Sequence, residues 1–300
     1  MFSQNLKKFV EENPKLVTMR AAGDNMFVLK YSRKVFYDAL WNDFLEECRG
    51  TIVDREFNLI SYPFKKIYNF GIEDKAPVLP DETCITAFRK VNGFMVSTTV
   101  HNGQLLVSTT GSTSGEHVDY AKEMMVKHAP LTDWLMVLNN ADCQGMTFMF
   151  ECVHPEDPHI VVEKSGMYLI GYRENVWGSK VGYNNTVIKD VAAMLKCYHA
   201  ESYNTTVGQL KTMVKECRHE GFVAYTDDGT AFKIKSPHYL VSKWVARNPK
   251  TDKLMSDDFK KQIDEEYYPL LSAIRSNIVE YTALDEQARL AWVRNQMESA

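Results

Sequence analysis

Residues 85–110 have the sequence ITAFRKVNGFMVSTTVHNGQLLVSTT, which predicts three short strands. Strand-forming residues fill 85–90, 94–100 and 105–110, and Asn102-Gly103 separates the second strand from the third. Asn-Gly between β-branched residues is a strong hairpin signal, because both residues tolerate the positive φ angles of a two-residue turn. The stretch therefore predicts an antiparallel sheet, with the segment Lys90-Val91-Asn92-Gly93 at the end of its first strand.

The rest of the chain predicts an α+β protein of two parts. A second hairpin is expected where GFVAYT and TAFKIKS flank Asp227-Asp228-Gly229. Apolar patterns predict the remaining elements up to about residue 245: strands at 147–153, 159–163 and 167–172, and amphipathic helices at 187–199 and 207–217. Residues 256–299 are rich in helix formers, with a break near Pro269. We therefore expect a catalytic-sized body over 1–245 and a small helical C-terminal domain over 246–300.

The composition is that of an ordinary globular protein. Hydrophobic residues make up 45% and charged residues 25% of the 300 residues, which excludes disorder over most of the chain. Lys and Arg number 35 against 39 Asp and Glu, so the net charge is −4. Residues 246–300 carry 8 basic and 10 acidic residues, and no polybasic arm is present. Binding of nucleic acid would therefore need a local basic cleft.

Cysteine usage and the N-terminal segment predict the compartment. The six cysteines include no Cys-x-x-Cys pair, which is typical of reduced thiols in a reducing compartment. The first residues, MFSQNLKKFVEENPKL, lack the apolar region of a signal peptide, and no later apolar run approaches membrane-spanning length. We expect a soluble, cytoplasmic protein that is not bound to a membrane.

Three lysines are the first candidates for chemistry. Lys90 would be held at a strand end with a tight turn behind it, and Gly93 would allow close approach of a ligand or of other backbone. Lys233 and Lys235 alternate with Ile234, so both ammonium groups lie on one face of their strand. Like charges aligned in this way favour a shared anion such as a phosphate. Solvated surface lysines are the alternative for each of them.

Two acids and one arginine are candidates to accompany these lysines. Glu151 interrupts an apolar strand, and Glu220 lies at a helix-to-strand junction. Either carboxylate could bind magnesium, which prefers few carboxylates together with phosphate and water. Arg49 leads a strand and could clamp a phosphate with its planar guanidinium group. No P-loop, His-Glu-x-x-His or Gly-x-Ser-x-Gly motif is present, so several other enzyme classes lack their usual signatures.

The order of the short motifs resembles a known enzyme family. The motifs are ECRGTIV (47–53), KVNG (90–93), FECV (150–153), YREN (172–175), EGFVAY (220–225) and KIKS (233–236). Together they resemble the motifs of ATP-dependent polynucleotide ligases, above all those of the phage RNA ligase 1 family, over about Tyr31 to Tyr239. The resemblance implies a nucleotidyltransferase (ATP-grasp-like adenylylation) domain of antiparallel sheets with flanking helices, followed by the small helical domain.

The resemblance also implies a role for each matching residue. Lys90 is the nucleophile that takes AMP from ATP, and Asn92 and Gly93 complete its motif. Glu151 contacts the ribose, and Glu220 is the carboxylate associated with Mg²⁺ or Mn²⁺. The remaining matches bind ATP: Lys233 and Lys235 at the α-phosphate, Arg49 and Lys66 at the ATP phosphates, and Tyr31 and Tyr239 as nucleotide-contacting tyrosines.

The implied reaction is the joining of an RNA 5′-phosphate to a 3′-hydroxyl. AMP passes from Lys90 to the 5′-phosphate, and the 3′-hydroxyl then displaces it. Family membership implies a monomer that repairs RNA, including tRNA, beside an end-healing kinase-phosphatase, in the cytoplasm of an infected host if a phage encodes it. The helical C-terminal domain would help to select the RNA. Its alternative role is to cover an apolar face of the body with Ile274, Leu290 and Trp292.

The sequence departs from the family pattern at several positions. Asn92 stands where the family has Asp, and Phe94 stands where it has Ser. Thr109-Thr110 replaces a basic residue expected before Gly111. Asp257 or Asp258 is the nearest match to a metal-binding aspartate, and the region after residue 245 is about half of the expected length.

Two alternative functions remain open at this stage. A DNA ligase or an mRNA-capping guanylyltransferase resembles the same core, but both normally append an OB barrel of about 100 residues, for which 55 helix-rich residues are too few. A catalytically inactive nucleotide- or RNA-binding protein would keep the fold without the chemistry. The intact lysines and acids of the six motifs favour an enzyme over a protein of that kind.

Overall fold

The computed structural model describes residues 2–71, 75–247, 250–261, 263 and 267–298. Its first elements are α1 (Phe2–Glu12), β1 (Val17–Ala21), β2 (Phe27–Tyr31), α2 (Arg33–Tyr37), α3 (Asp43–Glu47), β3 (Arg49–Val53), β4 (Leu59–Ser61) and β5 (Tyr68–Asn69). Next come β6 (Cys84–Arg89), β7 (Phe94–His101), β8 (Gln104–Thr109), α4 (Glu116–His128), α5 (Leu131–Leu138), β9 (Met146–Val153), β10 (Gly166–Glu174), β11 (Val181–Gly182), α6 (Asn185–Met194) and β12 (Tyr198–His199).

The last part begins with β13 (Ser202–Thr206), α7 (Val207–Glu216), β14 (Gly221–Tyr225), β15 (Ala231–Lys235) and α8 (Pro237–Arg247). It ends with α9 (Thr251–Met255), α10 (Asp257–Lys260), α11 (Tyr268–Ser276), α12 (Ile278–Ala283) and α13 (Glu286–Glu298). This mixture of sheets and helices confirms the predicted α+β class. Among the described residues, no helix combines the length and the apolar character needed to cross a bilayer.

The first of two compact units comprises Met1–Ile67, Gly93–His154 and Ser165–Ala200. Its strands form one sheet in the order β1-β2-β3-β4 and a second in the order β11-β10-β9-β7-β8, where β12 also pairs with β10. The predicted β7–β8 hairpin is confirmed, with His101 opposite Gln104. Asn102 and Gly103 have φ angles of 50° and 72°, the combination for which Asn-Gly is favoured.

The second unit comprises Tyr68–Asn92, Pro155–Lys164 and Glu201–Ala300. Its sheet has the order β13-β6-β14-β15-β5, and the predicted β14–β15 hairpin pairs Gly221 with Lys235. Helix α7 packs its buried residues against this sheet, in a core that includes Leu210, Phe222 and Phe232. Ile234 packs against the same core, so Lys233 and Lys235 lie on the opposite face of β15, as their alternation predicts.

The C-terminal helices of the second unit pack around α8. Val245 and Ala246 of α8 share a buried cluster with Ile274 and Val293, and Leu290 and Trp292 pack against it. The predicted boundary at residue 245 lies inside α8, which continues to Arg247. The division into domains 1–245 and 246–300 stays a prediction; the buried cluster consists of residues of α8 and of the helices that follow it.

Two predictions of local structure are wrong. Residues 159–163 do not form a strand, because a strand needs a neighbour to pair with and none of the described sheets includes this segment. Its Glu163 side chain, 3% exposed, pairs instead with Arg89 at the end of β6. The helix expected at 187–199 ends at Met194, because Lys196 adopts a φ of 54° that ends helices. The break predicted near Pro269 is confirmed, since α10 ends at Lys260 and Pro269 lies in the first turn of α11, where a proline is tolerated.

Candidate active site

The second unit brings Lys90 and Glu220 together. Lys90 follows β6, and its backbone N–H donates to the carbonyl oxygen of Gly221 at 2.8 Å, so it continues the ladder beside β14. Its Nζ lies 2.8 Å from Oε2 of Glu220. Asn92 donates from Nδ2 to the same oxygen at 3.2 Å. The backbone of the sheet therefore holds the predicted nucleophile against the predicted metal-associated carboxylate.

Lys235 lies on the other side of the same carboxylate. Its Nζ is 3.0 Å from Oε1 of Glu220, whose side chain is only 6% exposed. Burial by itself would raise the pKa of Glu220, but the charges of Lys90 and Lys235 outweigh it and hold the pKa below its usual value. Glu220 therefore stays ionised between two ammonium groups. Lys233 lies on the same face of β15, two residues away.

Tyr239 is held close to this group by a helix cap. The Ser236 hydroxyl accepts a hydrogen bond from the backbone N–H of Tyr239 at 3.1 Å, and Pro237 occupies the first position of α8. The Nζ of Lys235 lies 4.7 Å from the centre of the Tyr239 ring. Burial, with the Glu220 charge next, raises the pKa of Tyr239 to about 12, so its hydroxyl stays protonated. The predicted residues of the second unit thus form one cluster.

The stabilisation that Glu220 provides should depend on pH in acid. Because its folded-state pKa lies below the usual 4.5, the stabilisation is complete above about pH 4.5 and is lost as the pH falls through the folded value. We expect Glu220→Gln to be less stable than the wild type at neutral pH, with the difference shrinking below about pH 4.5. Urea unfolding over a pH series measures this difference. A gap that stayed constant into acid would contradict the ion pairs.

The first unit places Glu151 next to Gly93. Glu151 lies in β9, opposite Met95 of β7, and is buried with 8% exposure. Its Oε1 accepts a hydrogen bond from the backbone N–H of Gly93 at 3.2 Å. Burial of this acid inside the apolar strand agrees with a functional position and not with the alternative of a solvated face.

Gly93 is needed because there is no space for a side chain. An added Cβ would overlap the backbone of Cys152, lying 2.9 Å from its carbonyl carbon, and would come 3.2 Å from Cγ of Glu151. We expect Gly93→Ala to lower the free energy of unfolding by about 2 kcal/mol or more, because backbone atoms cannot yield to the new methyl group. Chemical denaturation measures the change. Gly103→Ala is the comparison variant: its Cβ would meet nothing within 4 Å, so any loss there reports the strain of a side chain at a φ of 72° without steric overlap.

Lys66 and Tyr31 meet at a tryptophan that the sequence analysis missed. The Nζ of Lys66 lies 4.8 Å from the centre of the Trp41 ring, and the Tyr31 ring meets Trp41 edge-on at 4.7 Å. Lys66 is buried with 7% exposure. The Trp41 ring thus lies beside both Lys66 and Tyr31. Trp41 carries no motif and only the tertiary structure reveals it.

Arg49 and Lys30 belong to a second basic group in the first unit. Arg49 begins β3, and its Nη1 lies 3.1 Å from Sδ of Met95. Lys30 lies against Gly111, where an added Cβ would be 2.8 Å from its Nζ. Burial, with the charges of Arg20, Arg33 and Arg49 next, lowers the pKa of Lys30. Thr109-Thr110 lacks the expected basic residue, but Lys30 of β2 places a basic side chain beside Gly111.

Two further motif residues form a structural ion pair in the first unit. Arg173 of the YREN motif binds the carboxylate of Glu47 in ECRGTIV with both terminal nitrogens, at 2.9 and 3.2 Å. Its guanidinium also stacks on Tyr62, 3.4 Å from the ring centre. Arg173 is 4% exposed, so this pair holds the start of β3, from which Arg49 projects.

The predicted metal-binding residues fall into two groups. Glu220 is buried in the lysine cluster, whereas Asp257 lies 3.9 Å from Arg275 and Asp258 lies 3.1 Å from Lys261. Both of these aspartates are exposed and pair with basic residues of the C-terminal helices. In the part of the chain that the structure describes, no group of three His, Cys, Asp or Glu side chains could hold a metal ion.

Comparison with solved structures identifies the fold. A candidate ATP-dependent DNA ligase from Aquifex aeolicus matches with a TM-score of 0.55 and 15% identity, over 99% of this chain and 79% of that one. An archaeal ATP-dependent RNA ligase matches in two forms. Form 1 gives a TM-score of 0.60 at 12% identity over 93% and 77% of the two chains, and form 2 gives 0.55 at 13% over 97% and 77%.

These likenesses extend over nearly the whole chain, at sequence identities that show the fold alone. No family model matches the sequence. The resemblance to the phage RNA ligase 1 family therefore stays a prediction. What the comparisons do confirm is the predicted fold: the chain has the nucleotidyltransferase fold found in ATP-dependent RNA and DNA ligases.

Proposed function

We propose that this protein is an ATP-dependent RNA ligase that works through a lysyl-AMP intermediate on Lys90. The observation that carries the proposal is the cluster in the second unit, where Lys90 and Lys235 lie 2.8 and 3.0 Å from the two oxygens of Glu220. The fold supports it, since solved ATP-dependent ligases share this fold. The order of the six sequence motifs supports RNA as the substrate.

The first step needs the neutral amine of Lys90. A free lysine has a pKa near 10.4, so only about one in a thousand molecules is neutral near pH 7.4. Positive charges of Lys233 and Lys235 disfavour the ammonium form, whereas Glu220 favours it. The Nζ lone pair attacks the α-phosphorus of ATP, the N–P bond forms, and the bond to the bridging oxygen of pyrophosphate breaks. Nζ loses its extra proton, and Lys233 and Lys235 stabilise the charge on the α-phosphate.

Glu220 is the residue that we propose as a ligand for Mg²⁺ or Mn²⁺. A bound ion would have to share these oxygens with Lys90 and Lys235, which pair with them in this structure, and it would complete its shell with substrate phosphates and water. Such an ion supplies positive charge to the phosphates of ATP. Without it, three or four lysine and arginine side chains would face the larger negative charge of the triphosphate.

The nucleotide-binding residues of the first unit are assigned by resemblance. Glu151 contacts the ribose, Arg49 and Lys66 contact the phosphates, and Tyr31 contacts the nucleotide. Both Glu151 and Lys66 are buried, so their side chains are held in fixed positions, which suits residues that position a ligand. Tyr239 takes the same kind of role in the second unit.

Two later steps would complete the reaction. The 5′-phosphate of an RNA attacks the lysyl-AMP, which releases Lys90 and leaves AMP joined to the RNA by a pyrophosphate bond. A 3′-hydroxyl then attacks the RNA phosphate, so a phosphodiester forms and AMP leaves. The natural RNA, its repair beside an end-healing kinase-phosphatase and the phage origin all stay predictions.

The test separates the reaction class from the substrate. Incubation with ATP and magnesium should increase the intact mass by one AMP. Purified lysyl-AMP protein is then given 5′-phosphorylated RNA or DNA of identical sequence, with 5′-hydroxyl strands as the control. We expect transfer of AMP to the phosphorylated RNA and sealing to a 3′-hydroxyl. Absence of the adduct would contradict the ligase, and preference for DNA would contradict only the RNA substrate.

A further inference from the structure

Further basic side chains lie along one face of α8, next to the cluster formed by Lys90, Glu220 and Lys235. Tyr239, Lys243 and Arg247 are spaced four residues apart, which places them on the same side of this helix. The Nζ of Lys243 lies 5.5 Å from the centre of the Tyr239 ring, and that of Lys235 lies 4.7 Å from the same centre. The Tyr239 ring thus lies close both to Lys235, which pairs with Glu220, and to Lys243 of α8.

The negative charge on this face does not balance the positive charge. Lys90, Lys235, Lys243 and Arg247 are four cations. Among the described residues, the carboxylates around them are three: Glu220, which pairs with Lys90 and Lys235, Glu286, which lies 3.1 Å from Arg247, and Asp157, which lines the same cavity as Tyr239 and Arg247. Burial, with Lys235 and Arg247 next, lowers the pKa of Lys243 to about 8. Cations held together at this cost are typical of a site that binds an anion.

We propose that Lys243 and Arg247 form a phosphate-binding strip, which binds phosphate groups beyond the α-phosphate attached to Lys90. The two residues are about 6 Å apart along the helix, close to the separation of successive phosphates in a nucleic-acid strand. Phosphates of the acceptor strand therefore fit the strip, and the β- and γ-phosphates of ATP have the same chemistry. The identity of these phosphates rests on the proposed ligase function, but the charge of the strip does not.

The strip is tested with Lys243→Gln/Arg247→Gln in the full chain. The matched control is Lys250→Gln/Lys253→Gln, which removes the same charge from exposed positions just beyond α8. Thermal melting of both proteins checks that they are folded. Lys243→Arg is a second variant, which keeps the positive charge and should keep wild-type binding if the strip recognises anions.

Two measurements distinguish the source of the phosphates. If the strip binds the acceptor strand, the double variant should bind a 5′-phosphorylated RNA roughly ten-fold or more weakly. The slope of log K against log salt concentration should also become shallower by about 1.4, because two phosphate contacts are lost. Its formation of lysyl-AMP should then keep the wild-type KM for ATP. If the strip binds the triphosphate, that KM should rise and the affinity for pyrophosphate should fall by a similar factor. Either result supports the strip.

The strip is wrong if the double variant matches its control in RNA affinity, in KM for ATP and in pyrophosphate affinity. A wild-type protein that formed no lysyl-AMP, yet bound pyrophosphate or phosphorylated RNA more tightly than the double variant, would keep the strip and overturn the ligase. Failure of the strip and failure of the proposed function therefore give different results.

Discussion

Replacement of Lys90 with alanine is expected to abolish formation of the AMP adduct. The amine of Lys90 is the proposed nucleophile, and no other group would take its place at the end of β6, so we expect the rate to fall by at least about 10³-fold. ATP binding should persist, because the variant keeps Lys233 and Lys235, the proposed partners of the α-phosphate. Intact mass after incubation with ATP and magnesium measures the adduct, and equilibrium binding of ATP measures the retained affinity.

A matched lysine provides the control for this prediction. Lys215 is exposed on α7 of the same unit, so Lys215→Ala should form the adduct at the wild-type rate. Peptide mapping of the wild-type adduct should find AMP on Lys90 alone. AMP on a different lysine would show that the nucleophile is misassigned, even if the protein proved to be a ligase.

Replacement of Glu220 with glutamine is expected to have the second largest effect on activity. We expect adenylylation to slow by roughly a hundred-fold or more at saturating ATP, because the variant loses its buried metal-associated carboxylate. Loss of that carboxylate also leaves Lys90 and Lys235 without a shared partner. Since both lysines are about one-fifth exposed, we expect the free energy of unfolding to fall by only about 1–3 kcal/mol.

The direction of the rate change distinguishes two possible roles of Glu220. If Glu220 served only to keep Lys90 protonated, its removal would favour the neutral amine and speed up the reaction. Rates over a magnesium titration distinguish this case from a metal-associated role, which predicts a slower reaction and a higher magnesium requirement. A wild-type rate across the titration would contradict the proposed role. Glu216→Gln, an exposed change at the end of α7, is the control.

Local patterns of the sequence predicted the strands that hold Lys90, Glu220 and Lys235 in the second unit. The alternation of Lys233, Ile234 and Lys235 gave their faces correctly, because side chains alternate in any strand with one buried side. The Asn102-Gly103 turn was equally predictable, since its φ angles depend on the residues themselves. Residues 159–163 were mispredicted because a local pattern does not show whether a neighbouring strand is available for pairing, and none of the described sheets includes this segment.

The sequence by itself determined the class of fold, the two hairpins and the short motifs in which Lys90, Glu151, Glu220, Lys233 and Lys235 occur. Only the tertiary structure decided which groups meet, because Lys90 and Glu220 are 130 residues apart and no local pattern encodes a distance across a sheet. The same holds for Trp41 beside Lys66. Periodicity specifies the face on which a side chain lies, whereas its charge environment depends on what the whole chain packs against that face.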